Sequence, residues 1–533
     1  MDRRVAPGFL IFIGINPNMT HKITAIALSL FLGACSIETQ AQQASVLPRS
    51  IPEKEGVSSS GISRFLDAAA GSKDEFHSFV FLRHGKIIAE GWWNPYKPAL
   101  HHTLYSVSKS FTSTAIGFAV SENRLSVHDK VISFFPQDLP DTIAPNLSAL
   151  TVQDLLDMSE GQDPEPTGRV ITGDSNWVRS FLAIPVVHRP GTQFLYNSLG
   201  VYILAAIVQK VTGQTVVDYL APRLFQPLGI TDADWEVSPQ GISTGGWGLR
   251  LKTEDLAKVG QLYLQKGSWQ GRPLLPAKWI EEATNQHIDQ VHDSLTRARR
   301  DSSDWLQGYG YLFWRCRHHA YRADGAFGQY IIVMPDQDAV LAITSETSDM
   351  QDELNLVWKY LLPAMQKDPL PAAPKEVAAL QQRLTSLALP PLPAAADAQA
   401  EAGISGKTYP LAPNSTHITG LSFSFKDHLC QLSLQTDSAT YPLSFGSGKW
   451  VEGTTTLHGP HLTSAAKASL TGLPPFRTAG SYRWKDTNTL ELALRFIESP
   501  HTQTFECHFD SDKMSVTIYN SFDFAHKGIA LHP

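Results

Sequence analysis

The sequence predicts an α+β domain, an antiparallel sheet with a helical region, followed by a small all-β, barrel-like domain. Three observations lead there. Strand patterns bracket a long helical middle, a Pro- and Ala-rich stretch interrupts the chain at 367–400, and beyond it the apolar period becomes alternating. A chain of 533 residues is also too long for one ordinary core, so two or three domains are expected.

The elements follow in order. "SFVFLRHGKIIAEGWWNPY" (78–96) reads as two strands turned at His84-Gly85. "TVQDLLDM" (151–158) is an amphipathic turn, and "LGVYILAAIVQKVTG" (199–213) is a buried helix stopped by Gly213. "KTEDLAKVGQLYLQKG" (252–267) forms another helix with Thr253 as its N-cap. Strands return at 308–316, 328–335 and 339–346, and a helix at 354–365 closes the segment. Strands from both ends are expected to share one sheet, giving a first domain over 50–366. Residues 367–400 read as a linker with one short helix inside it. Residues 401–533 carry short alternating segments, from "GLSFSFKDHLCQLSLQT" to "MSVTIYNSF", separated by Gly, Asp, Asn or Ser. Trp450 and Trp484 there read as barrel core.

The beginning of the chain points to export. Met19 is a second candidate start, and "MTHKITAIALSLFLGACS" pairs a short basic segment with an apolar run too short to span a bilayer. Leu32-Gly33-Ala34-Cys35 resembles a bacterial lipoprotein box. Residues 1–35 are therefore read as a signal peptide, with Cys35 as the lipidation site, and 36–49 as a tether. The alternative is cleavage near Ala41, which gives a soluble periplasmic protein. Either route ends in the bacterial cell envelope, the first with a membrane contact through the lipid.

Composition narrows the partners. The net charge of −7 comes with no basic stripe, which excludes nucleic acid as the expected partner. Cys316, Cys430 and Cys507 form no CxxC pattern. Cys430 and Cys507 share the C-terminal region and can pair in an oxidising compartment, a question sequence leaves open. Cys316-Arg317-His318-His319 reads as a strand and its turn, and His287 and His292 lack the spacing of one helix face, so no metal is expected.

The chemistry starts in "LYSVSKSFTSTAIGFAV" (104–120). Ser106 and Lys109 fit S-x-x-K, which at helical i, i+3 spacing brings a hydroxyl and an amine onto one face. A serine hydroxyl needs a neighbour to take its proton, and a helix start favours the anion formed during attack. Ser108 and Ser110 have no lysine three residues on. The pattern alone is weak, because Ser464-Ala465-Ala466-Lys467 repeats it. Tyr196, in "RPGTQFLYNSLGVYILAAIV", stands on a loop before the buried helix and is a candidate acid and base, its phenol acidified by a nearby lysine. "AYRADGAFGQYIIVMP" adds a Gly-rich approach to a strand, where Gly325 permits close contact and the Ala326 N–H can face a reacting carbonyl.

In this order the three elements resemble the class C β-lactamase-related serine hydrolases, a group of β-lactamases, DD-peptidases, esterases and nylon-oligomer amidases. The likeness covers roughly 50–365. It implies a β-lactamase/penicillin-binding-protein-like fold without metal or organic cofactor. It also implies Ser106 as the acylated nucleophile, Lys109 as its proton-handling partner, and Tyr196 as general base and acid. The N–H groups of Ser106 and Ala326, beside Gly325, become the oxyanion hole, with Asn197 and Ser198 as second-motif support. Two positions depart from the pattern. Ser198 stands where Y-x-N has an amide, and Ala323-Asp324-Gly325 replaces K-T-G or H-x-G, removing the usual reader of a substrate carboxylate unless Arg322 or Arg315 supplies one. These departures favour an ester or non-peptide amide over a β-lactam or peptidoglycan peptide.

Two rivals remain. Gly241-Ile242-Ser243-Thr244-Gly245 matches the G-x-S-x-G elbow but lacks the preceding strand and following helix. A catalytically inactive envelope-binding module would be expected to have lost at least one of Ser106, Lys109 and Tyr196.

Overall fold

The computed structural model describes residues 46–291, 293–463 and 470–533. The readings at Met19, Cys35, His292 and the second S-x-x-K at Ser464 lie outside the described residues. Residues 47–49, read as the end of the tether, already belong to the fold. Leu47 is buried, and Arg49 pairs with Glu90 and Glu254 at 2.9 Å each.

Strands from both ends of the catalytic segment do share one sheet. Its six strands run Lys86–Trp92, Glu75–Arg83, Ala339–Glu346, Gln329–Met334, Tyr321–Gly325 and Trp314–Arg315, each antiparallel to the next. Side chains alternate between two covered faces. Val80, Leu82, Ile331, Val333, Val340 and Ala342 face the helical region, and Phe79, Phe81, Tyr330, Ile332, Leu341 and Ile343 face the other core. Burying each large apolar side chain contributes roughly 1.5–3 kcal/mol. The helix Thr253–Leu264 lies directly on the first face at Gly260, where a Cβ would sit 2.5 Å from Val340 and 2.8 Å from Ile331. Alanine there would push the helix off the sheet.

Two local readings are corrected. Lys252 takes the N-cap position of that helix, and the Thr253 hydroxyl instead bonds Ser78 Oγ at 2.6 Å. Of the strand expected at 308–316 only Trp314–Arg315 pairs with the sheet, because Gly308 (φ 102°) and Leu312 (φ 64°) break the extended run. The Pro- and Ala-rich stretch contains the helix Pro374–Thr385, which packs Leu380 and Leu384 into the second core.

Beyond it, ten strands form one curled sheet, from Thr408–Pro410 to Ile529–Leu531. Alternate residues such as Leu421, Phe423, Leu432, Leu434, Leu443 and Phe445 fill its concave side, with Trp484. The Ala412 N–H donates to His532 O at 2.9 Å, bringing the two ends of the sheet together as an almost closed barrel. Cys430 and Cys507 are free, buried thiols of this core. Trp450 lies at its edge and donates its indole N–H to Leu389 O at 2.9 Å.

Candidate active site

The short strand His102–Thr103 pairs with Leu249–Leu251, and the chain then turns through Tyr105, a non-glycine residue at φ 48°. Ser106 follows as the N-cap residue of the helix Val107–Ser121. From His101 to Ala119 every residue is buried except Ser106, which stays half-exposed. Most other hydroxyls of this stretch have structural tasks, while the buried Ser113 Oγ has no partner among the described residues. Ser108 Oγ donates to Tyr105 O at 2.6 Å and accepts from Leu249 N at 3.1 Å. Ser110 reaches Leu312 O at 2.7 Å, Thr112 reaches Gly245 O at 2.9 Å, and Thr114 meets the Tyr263 hydroxyl at 2.7 Å.

Lys109, one turn on, brings Nζ to 3.0 Å from Ser106 Oγ, 2.9 Å from Ser198 Oγ and 2.7 Å from Gly246 O. Burial strips water from the ammonium and pulls its pKa down to about 7, against the partial support of the Glu165 and Asp324 carboxylates. The three contacts match the three N–H donors of an ammonium; on losing one proton the amine keeps N–H bonds to Gly246 O and Ser198 Oγ and turns its lone pair to the Ser106 hydroxyl.

Tyr196 lies against both partners. Lys109 Nζ stands 4.7 Å from the centre of its ring, which also stacks on Trp314 at 5.6 Å and meets Tyr309 edge-on at 6.5 Å. The surrounding protein and the Asp324 carboxylate push the phenol pKa above its ordinary value, and hydrogen bonding to Ser106 opposes them only in part. The expected acidification by lysine is therefore not what this environment produces: Tyr196 rests as a neutral phenol. Asn197 does not face the reacting groups. Its Oδ1 caps the helix Ser198–Thr212 by accepting from Leu199 N at 3.0 Å and Gly200 N at 3.1 Å. Ser198, in the third position of the motif, makes the lysine contact.

The strand Tyr321–Gly325 arrives beside the serine. A Cβ on Gly325 would lie 2.1 Å from Leu104 O and 3.1 Å from Ser106 N, so no larger residue fits this approach. Two peptide planes are fixed by their carbonyls: Tyr105 O accepts from Ser108 N at 3.1 Å, and Gly325 O accepts from Gly328 N at 3.2 Å. Each planar peptide then sends its N–H, that of Ser106 and of Ala326, the opposite way. Among the described turns and loops neither N–H donates to a backbone carbonyl. Ala326 is the one half-exposed residue between Ala320 and Met334.

Neither arginine replaces the missing carboxylate reader. Arg322 is fully buried, paired with Asp324 at 2.8 Å and donating to Asp304 O at 2.8 Å, while Arg315 donates to Thr284 O at 3.0 Å. Glu165, Gly246 and Trp314 complete the surroundings. Asp324 was visible only as the middle letter of the altered third motif. Ser243 of the rival motif is fully buried and no helix follows it.

Residues 77–364 match the Beta-lactamase family model. The 6-aminohexanoate-dimer hydrolase of Paenarthrobacter ureafaciens is 28% identical over 293 residues, covering 51% of this chain and 73% of that protein. A putative D-alanyl-D-alanine carboxypeptidase of Escherichia coli strain K12 is 24% identical over 239 residues, 39% of this chain and 55% of that one, so the chain spans little more than half its length. Among solved structures, a putative 6-aminohexanoate-dimer hydrolase from Bacillus anthracis gives a TM-score of 0.48 at 19% identity, covering 61% of this chain and 89% of that one. The family match spans more than half of the sequence and contains every group just described around Ser106, and the chain belongs to the Beta-lactamase family of serine hydrolases.

Proposed function

We propose that the protein is an exported serine hydrolase that cleaves an ester or a non-peptide amide through an acyl-Ser106 intermediate. The observation that carries the mechanism is Lys109 Nζ at 3.0 Å from Ser106 Oγ with its pKa drawn down to about 7. A neutral Lys109 takes the hydroxyl proton as Ser106 Oγ bonds the substrate carbonyl carbon. The carbonyl oxygen, now an anion, is received by the N–H groups of Ser106 and Ala326. Tyr196, a neutral phenol, passes its proton to the leaving oxygen or nitrogen and is reprotonated from Lys109. Water then attacks the acyl-enzyme carbonyl, giving up its proton to the same pair, and frees the acid and Ser106.

The substrate class follows from the third motif. Ala323 offers no charge, and the Arg322 guanidinium already serves Asp324, so an anionic carboxylate finds no free cation on this strand. The Paenarthrobacter relative, a 6-aminohexanoate-dimer hydrolase, supports a non-peptide amide as one of the bonds cleaved. Cys35 as a lipidated residue would hold the enzyme on a membrane facing the periplasm.

A panel of p-nitrophenyl esters, short nylon-type amides, cephalosporins and D-Ala-D-Ala peptides tests the reading. Esters or linear amides should turn over fastest, with a fluorophosphonate attached to Ser106. Faster turnover of cephalosporins or peptides would replace the substrate class by the β-lactam or peptidoglycan alternative. An unlabelled protein whose turnover survives Ser106→Ala would remove the mechanism itself. A protein with neither label nor turnover would be the inactive binding module.

A further inference from the structure

The far end of the nucleophile helix carries a cavity of about 440 Å³ lined by Trp279, His287 and Tyr311, and the buried Trp279 Nε1 has no partner among the described residues. The side of Ser106 that meets the C-terminal sheet is more telling. Ser106 follows Tyr105, and Ala326 precedes Phe327. Tyr105 (φ 48°) and Phe327 (φ 67°) both occupy the left-handed region, which a bulky residue adopts only under constraint. His501 touches both, reaching the Tyr105 hydroxyl and the Phe327 ring, while His461 stacks on Tyr105 alone at 4.7 Å.

We propose that His501, supplied by the C-terminal sheet, is a positioning residue for acylation that sets the Ser106 and Ala326 N–H groups through Tyr105 and Phe327. His501 lies in the turn between the strands Thr489–Phe496 and Thr502–Asp510. Its Nε2 is 2.5 Å from the Tyr105 hydroxyl, and its ring meets that of Phe327 edge-on at 4.8 Å. The Tyr105 and Phe327 rings also touch, at 5.4 Å, and Phe522 closes the cluster 5.7 Å from Phe327. His501 is itself fixed: Nδ1 lies 2.6 Å from Glu346 Oε1, which also accepts from Ser521 Oγ at 2.7 Å. The carboxylate holds the proton on Nδ1, leaving Nε2 to accept the Tyr105 O–H. Glu346 ends a strand of the catalytic sheet, so the chain Glu346–His501–Tyr105 runs from that sheet through the C-terminal domain and back to the nucleophile turn.

The proposal rests on Ser106 being the acylated residue, and the test separates the two. In the full chain, His501→Ala should lower kcat on the order of 100-fold, the scale of a misplaced reacting group, with KM within roughly threefold. His501→Gln, which keeps an acceptor for Tyr105, should recover most of that loss. Tyr105→Phe should slow both turnover and fluorophosphonate labelling of Ser106, and it decides the matter if His501→Ala does not fold. Trp450→Phe removes a different hydrogen bond of the C-terminal domain and should leave kcat within about twofold. Unchanged kcat in both the His501 and Tyr105 variants, a loss confined to KM, or an equal loss in Trp450→Phe would overturn the positioning role. Turnover that survives Ser106→Ala would instead overturn the serine mechanism.

Discussion

Ser106 and Ser243 each stand inside a motif written for a catalytic serine, and their surroundings could hardly differ more. Ser106 is half-exposed at a helix start, with an amine at 3.0 Å and a phenol beside it. Ser243 is fully buried in a bend bridged to Val237, and its hydroxyl has no partner among the described residues. What separates them is a base within reach and a path for the substrate, neither of which is written in the motif letters. Reactivity belongs to the environment of the oxygen.

The sharpest test of that difference is Lys109→Met, which keeps a long apolar stem and removes the base. It should reduce kcat/KM by roughly 10³- to 10⁴-fold on the best ester, measured against the wild type at pH 8. The wild-type profile carries the same information. The active form holds Lys109 neutral, so kcat/KM should fall tenfold per pH unit below the pKa of about 7 and level off above it. No alkaline loss is expected up to pH 10, because the phenol of Tyr196 is pushed above its ordinary ionisation range. A profile rising through pH 10 would assign the base to Tyr196 instead.

Tyr196→Phe comes next. With lysine as the base and tyrosine as the proton donor, the loss should depend on the leaving group. A p-nitrophenyl ester, whose phenolate leaves unaided, should lose about tenfold, and an alkyl amide, which must be protonated, closer to 10³-fold. Equal losses on both would refute the donor role. A smaller effect is expected at Glu165, an exposed carboxylate that supports the Lys109 charge. Glu165→Gln removes that support, so the acid limb should move to lower pH, by about half a unit or less given solvent screening. A shift to higher pH would show that Glu165 acts on another group.

Much of this site could be read from sequence, for physical reasons that vary by residue. The i, i+3 pair needs only a helix, and the run from Leu199 to Val208 announced the helix behind Tyr196 by its apolarity. Asn197 was read as support for the second motif without its means being visible, because asparagine before a helix has two uses, and here its amide oxygen is taken by the cap. The strand at 308–316 looked uniform in apolarity, but positive φ at Leu312 depends on packing that no local pattern reveals. Arg322 read as a free cation because its partner Asp324 sits two residues on across the same strand face, a pairing visible only once the strand is placed. The His501–Tyr105 contact joins residues 396 apart in the chain and has no local signal at all.

The smallest effect belongs to the other serine and completes the contrast. Ser243→Ala removes a hydroxyl that is buried and unpartnered, so no hydrogen bond is lost and the cost of keeping an unsatisfied polar atom out of water disappears. The cavity left by one oxygen is too small to offset that fully. Activity should stay within about twofold of the wild type, and stability should be unchanged or higher by up to about 1 kcal/mol, read from denaturant midpoints at constant m. A large loss of turnover would mean that Ser243 takes part in the chemistry, and the division between a working serine and a buried one would have to be redrawn. A loss of stability with full activity would mean that its hydroxyl meets a buried water, and the division would stand.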